Sequence, residues 1–255
     1  MTELKRAVFS WRMVLAVFLV LLILMGPLYT DTLFRHNMWS YMAGYDILDL
    51  ITGPMALAGF SPFACIFPMI PCGTRFAEEY NSNYIRFTLP RSGRIRYISS
   101  KILTSLIAGG CVTASAFALL FIFLSIGGEP VTEETEISEF YLWTIWLPYA
   151  RIWGGKLVLI LKVILAFLHG AVWSLMALLV SAVYTNRYAA LVIPFVIYQV
   201  SWNILSGSIF NPVYLLRGDM GVYSALYVPY LIQMLVILLL VVLNGVFLWR
   251  KCDGN

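Results

Sequence analysis

Charge is what this sequence has least of. Only 12% of its 255 residues are Asp, Glu, Lys or Arg, against roughly 25% in a soluble domain. So few charges cannot cover a water-facing surface, which excludes an ordinary soluble globular protein. Histidine is scarcer still, with His36 and His169 alone. The four cysteines (Cys65, Cys72, Cys111, Cys252) form no CxxC pair and fall in apolar or expected cytoplasmic segments. Neither a disulfide nor a metal site is expected from them. A GxxxxGK[ST] loop that would cradle phosphate is missing too. The nearest stretch, Gly154-Gly155-Lys156-Leu157, lacks the first glycine and the hydroxyl residue. No cofactor is expected in this chain, and no repeat, linker or shift of composition divides it. It is read as one domain over residues 1–255.

Catalysis fares no better. Glu78-Glu79 is similar to the start of the EExxxR motif of CAAX-processing and bacteriocin-immunity proteases, but Asn83 and Arg86 break the spacing. A rhomboid-type GxSG is absent, since Ser206-Gly207-Ser208 has the wrong order. His169 has no evident partner with which to activate a nucleophile. The expectation is that this protein is not an enzyme, with an intramembrane protease the lesser alternative.

What the sequence does have is apolar length, with 61% of residues hydrophobic. A bilayer core of roughly 30 Å takes about 20 apolar residues in helical form. Six runs qualify, at about 13–29, 47–71, 102–126, 156–183, 188–205 and 226–249. Lipid offers no partners to backbone polar groups, so each is expected to be helical. The expected fold class is therefore all-α, a polytopic membrane protein with six transmembrane helices. No small-residue cleavage site follows the first run, so it is expected to be retained.

Orientation follows from lysine and arginine. With the N-terminus inside, twelve cations fall on the cytoplasmic side: Lys5, Arg6, Arg12, Arg75, Arg86, Arg91, Arg94, Arg96, Lys101, Arg187, Arg250 and Lys251. Four fall outside: Arg35, Arg151, Lys156 and Arg217. Both termini are expected in the cytoplasm of a multi-pass cell-membrane protein. The net charge of +4 then reflects topology and membrane lipid, and no nucleic acid is implied. The segment before the first run places Leu4, Val8 and Trp11 near one side and Glu3, Lys5, Arg6 and Arg12 elsewhere. Two readings stay open for it, a helix in the interface plane and a plain positive anchor. The outer loop, about 127–155, joins an acidic stretch to FYLWTIWLPYARIW, whose Trp and Tyr suit the headgroup layer.

Inside the spans, Pro54, Pro62, Pro68 and Pro71 are expected to kink the second helix. Lys162 and His169 lie seven apart, on one helix face, and Trp173 continues it. Pro62, His169 and Trp173 are the candidates for a substrate path. The plainer alternative has Lys162 snorkelling to headgroups and His169 bonding a neighbouring helix. Ser105, Gly109 and Thr113, four apart, form a small-residue face suited to close helix packing.

The most informative segment is the loop at about 72–101, CGTRFAEEYNSNYIRFTLPRSGRIRYISSK. Thr74 can cap a helix carrying Phe76, Glu78 and Glu79 early, where acids suit the positive N-terminus. Asn81-Ser82-Asn83 should break it, and Pro90 with Ser92-Gly93 should turn the chain again. A short helix exposing Phe76, Tyr80 and two carboxylates would suit a soluble partner; a merely solvated loop is the competing reading. Phe76, Glu78, Glu79, Leu89, Pro90, Arg94, Tyr97 and Lys101 resemble, in kind and order, the coupling loop of ABC type-2 transporter permeases. Asn83-Tyr84 and the extra glycine in Ser92-Gly93-Arg94 depart from that pattern. The Asn-Pro segment within SGSIFNPVYLLRGDMG, in the outer segment at about 206–225, is similar to the family's short element before its last span.

The resemblance implies the permease subunit of a bacterial ATP-driven exporter for an amphipathic or hydrophobic substrate. It implies two separate ABC ATPase subunits, which bind the ATP, and a second copy of this chain or a related permease. Phe76, Glu78, Glu79, Tyr80, Arg94 and Lys101 would then form the ATPase-coupling loop, with Phe76 filling an apolar notch on the ATPase. A non-transporting membrane binding or immunity protein is the alternative of a different class.

Overall fold

The computed structural model describes residues 2–35, 60–126, 155–218, 222–223 and 225–253. These residues are helical with no strand among them. In chain order the helices are α1 (Thr2–Val8), α2 (Trp11–Arg35), α3 (Ile66–Met69), α4 (Arg75–Asn81), α5 (Tyr84–Ser92), α6 (Arg94–Leu124), α7 (Gly155–Tyr184), α8 (Ala189–Ile204), α9 (Pro212–Arg217) and α10 (Val228–Asp253). A 3-10 turn, Ser61–Phe63, precedes α3. Among them α6, α7 and α10 are long and apolar enough to cross a membrane, while Trp11–Gly26 and Ala189–Ile204 are shorter apolar helices. An all-helical protein of membrane character is therefore what the structure supports. The outer loop at 127–154 and the first part of the second expected span, to residue 59, lie outside the described residues.

Helix α7 is the central post, and its tightest neighbour is α6. Ser105, Gly109 and Thr113 of α6 face Ala166, Gly170 and Ser174 of α7, both sets four apart and on one stripe. A Cβ on Gly109 would lie 2.2 Å from the Ser174 Cβ, and one on Gly170 would lie 2.4 Å from the Gly109 carbonyl oxygen. Only small residues let these backbones approach so closely. The approach brings side chains to backbone acceptors: Ser105 Oγ donates to the Ser174 carbonyl at 3.0 Å, and Thr113 Oγ1 donates to that of Ala166 at 2.7 Å. Each such bond contributes roughly 0.6 kcal/mol in a membrane protein.

Polar side chains fasten the other helices. Asn244 of α10 donates to the Leu175 carbonyl at 3.0 Å and Tyr230 to that of Leu161 at 2.8 Å. Gln233 reaches the Leu215 carbonyl near the end of α9 at 2.7 Å. Helix α9 itself starts by a local rule. Asn211 is its N-cap, accepting from the Val213 amide at 3.0 Å, and Pro212 occupies the first position, where no N–H is needed. Asn211 also donates to the carbonyls of Trp202 and Leu205, which pins the turn after α8.

Two expectations change here. From residue 60 to Pro71 the second span is not one kinked helix but a 3-10 turn followed by the four-residue α3. Pro62, Pro68 and Pro71 lack the amides that would carry a regular ladder through. The carbonyls of Ser61 and Pro62 instead accept from Tyr198 at 2.5 Å and Gln199 at 2.7 Å on α8. The loop at 72–101 also ends early. Gly93, at φ +76°, turns the chain, and α6 begins at Arg94. Its 31 residues extend about 46 Å, so its first turns project beyond a roughly 30 Å core.

Candidate functional site

The loop between the second and third apolar runs folds as a pair of short helices. Gly73 lets the chain pass α7, since a Cβ there would meet the Met69 carbonyl at 2.7 Å and the Ala177 Cβ at 2.8 Å. Thr74 then caps α4 through its backbone position, not its hydroxyl. The hydroxyl donates to Glu78 Oε1 at 3.0 Å. Asn83, at φ +57°, makes the break between α4 and α5. Asparagine tolerates that left-handed conformation better than most residues, and the break falls where the Asn-Ser-Asn run places it.

The six loop residues singled out from sequence gather at this end of the bundle, but they are engaged within the chain. Phe76 is fully buried, packed in a cluster with Ile85, Tyr97, Leu178, Ala182 and Leu248. The expectation that it is exposed for a partner is overturned. Its neighbour Ala77 is also buried, so the apolar side of α4 faces the ends of α6, α7 and α10.

Glu79 accepts from Lys101 Nζ at 2.5 Å and from the Tyr97 hydroxyl at 2.8 Å. Lys101, 8% exposed, also pairs with Glu3 of α1 at 3.2 Å, and Ser100 donates to Glu3 at 2.9 Å. Glu78 accepts from Arg12 at 3.4 Å. Tyr80 lies under the Lys251 ammonium, 5.3 Å from its ring centre. Arg94 pairs with Asp253 and sits 5.2 Å from the Trp249 ring centre. The beginning of the chain, the loop, the start of α6 and the end of α10 are thus bound by charge into one cluster. Sequence reasoning missed Glu3 and Ser100 as members of this network, and Tyr97 had entered only through the resemblance. Burial pushes the Cys72 thiol up to about 11 beside it, against the partial pull of Arg75 and Lys101.

Two faces of the loop remain open. Helix α5 buries Ile85 but leaves Phe87 at 69% and Tyr84 at 50% exposure, with Arg86 exposed between them. A cavity of about 390 Å³ lies between α1, the start of α2, α4 and α6, lined among others by Arg6, Arg12, Arg75, Glu78 and Lys101.

The candidates for a substrate path form a second, separate cluster. Trp173 and Tyr198 meet edge to face with ring centres 5.0 Å apart, and His169 lies 6.2 Å from each. Tyr198 donates to the Ser61 carbonyl and its neighbour Gln199 to that of Pro62. Pro62, His169 and Trp173 are therefore brought to one place, with Tyr198 as the unforeseen hub. His169, Trp173 and Tyr198 are all buried. Among the described residues His169 Nε2 has no hydrogen-bond partner, so the helix–helix bond expected of His169 is not made through that nitrogen. Lys162 is 3% exposed and does not snorkel to a surface. Among the described residues no group of three or more His, Cys, Asp or Glu is placed to hold a metal ion.

Compared with protein-family models, with characterised proteins and with solved structures, the chain matches none.

Proposed function

We propose that this chain is the permease subunit of an ATP-driven exporter of the ABC type-2 class. It would move an amphipathic or hydrophobic substrate across a cell membrane, with ATP bound and hydrolysed by two separate subunits. A second copy of the chain, or a related permease, would complete the path. The observation that carries this reading is the mechanical arrangement of α4 and α5. Helix α5 presents Phe87, Tyr84 and Arg86 outward, while α4 behind it is tied to α6 through Glu79, Lys101 and Tyr97. Asn81 donates to the Thr185 carbonyl beyond α7 at 2.9 Å. Force on α5 would thus reach α6 and α7 without being lost in a loose loop.

The docking face therefore shifts from Phe76 and Glu79 to Phe87 and Tyr84. Large aromatic side chains are the usual anchors of an interface, worth about 2 kcal/mol or more each. A C-terminal affinity tag on this chain, with the ATPase encoded nearest to it co-expressed, should recover a four-part assembly in mild detergent. Phe87→Ala should lose the ATPase while the permease stays folded. Full recovery and full stimulated ATP hydrolysis in that variant would remove the reading.

One observation favours a second reading, a membrane binding or immunity protein that works without turnover. The residues by which the loop resembles a coupling element, Phe76 and Glu79 above all, are already used inside the chain. In that case the same tag recovers only this chain, and function persists without any ATPase.

A further inference from the structure

The cavity between α1, the start of α2, α4 and α6 is lined by four cations, Arg6, Arg12, Arg75 and Lys101, and three carboxylates, Glu3, Glu78 and Glu79. The carboxylates are committed. Glu3 and Glu79 both hold Lys101, and Glu78 holds Arg12 and the Thr74 hydroxyl. None of the described carboxylates pairs with Arg6 or Arg75. These two are brought together, since the Arg75 guanidinium reaches the Arg6 carbonyl at 3.4 Å. Two arginines lining one cavity, neither paired with a described carboxylate, favour an anion, and guanidinium geometry suits phosphate.

The position of the cavity narrows the source. Phe9, between α1 and α2, and Trp11, the first residue of α2, are 85% and 76% exposed. Exposed aromatics beside arginines at the ends of apolar helices mark the headgroup layer. We propose that this cavity binds the phosphate of an acidic phospholipid, held by Arg6 and Arg75 between the N-terminal helix and the loop. The inference rests on the chain lying in a membrane and is independent of whether it transports anything.

The test uses the full chain in nanodiscs of equal parts phosphatidylcholine and phosphatidylglycerol. Native mass spectrometry after release counts the lipids retained. The wild type should retain phosphatidylglycerol over phosphatidylcholine, and Arg6→Gln with Arg75→Gln should cut that retention about tenfold. Arg91→Gln with Arg96→Gln, which removes two exposed cations outside the cavity, should change it little. Glu78→Gln, which takes a negative charge from the cavity wall, should raise retention, a gain that misfolding does not produce. Equal losses from both arginine pairs would reduce the effect to general attraction and overturn the site. Retention abolished by millimolar inorganic phosphate would overturn the lipid assignment in favour of soluble phosphate; retention that survives supports it.

Discussion

Phe76 and Phe87 lie eleven residues apart in the same loop, and their surroundings differ completely. Phe76 is fully buried and Phe87 is 69% exposed. Replacing Phe76 by alanine removes a core ring and should cost about 3–5 kcal/mol. Phe87→Ala should stay within about 0.5 kcal/mol. Thermal unfolding of both variants in one mild detergent checks the contrast, and similar losses would contradict the burial of Phe76. Cys72 gives a second residue-level expectation. With its thiol pushed up to about 11, little thiolate exists at neutral pH, and the thiolate is the reactive form. In a variant lacking Cys65, Cys111 and Cys252, maleimide labelling should be slow at neutral pH and rise as pH approaches that value. Rapid labelling of the folded protein at neutral pH would show that the site is open. Neither environment was legible in the sequence. A short amphipathic helix has the same pattern whether its apolar side meets a partner or its own bundle. The choice between the two is made by α7, a hundred residues further on.

Helices paired by regular spacing were far more readable. Four-residue spacing of small residues in α6 announces close packing, and the matching stripe on α7 supplies the other half. Gly109→Ala puts a methyl group 2.2 Å from the Ser174 Cβ and 2.8 Å from the Gly170 carbonyl. Backbone cannot give way as a flexible side chain can, so this change should cost about 1–3 kcal/mol or more. Gly245→Ala in α10 meets nothing within 4 Å and should gain about 0.5–1 kcal/mol from lower backbone entropy. Opposite shifts in melting temperature are expected, and a shared sign would refute the packing. The break at Asn81-Ser82-Asn83 and the Asn211-Pro212 start of α9 were legible for the same reason, because backbone rules act over a few residues. The second span was not, beyond residue 60. Its prolines announce broken hydrogen bonds, but not that Tyr198 and Gln199, more than a hundred residues away, would satisfy the freed carbonyls. The hub of Tyr198 with Trp173 and His169 was hidden likewise.

For the whole molecule, the charge placed along the chain makes the decisive expectation. Arg12, Arg75, Arg94, Lys101 and Lys251 come together at one end of the bundle, although they are scattered from residue 12 to residue 251. Lysine and arginine are retained on the cytoplasmic side of membrane proteins, so that end should face the cytoplasm. In a six-span layout α6 would enter the membrane from that end, and α4, α5 and both chain ends would share that side. Ser82 is exposed at the turn between α4 and α5, and Ser138, outside the described residues, belongs to the acidic loop that the six-span layout expects on the opposite side. Single cysteines placed at Ser82 and at Ser138, in a background without the native cysteines, separate the alternatives. An impermeant thiol reagent on intact cells should label position 138 and leave position 82 untouched until the membrane is opened. Labelling of both from outside would mean that an odd number of spans does not separate them. The loop helices would then face away from any cytoplasmic ATPase, and the permease reading would fall with the topology.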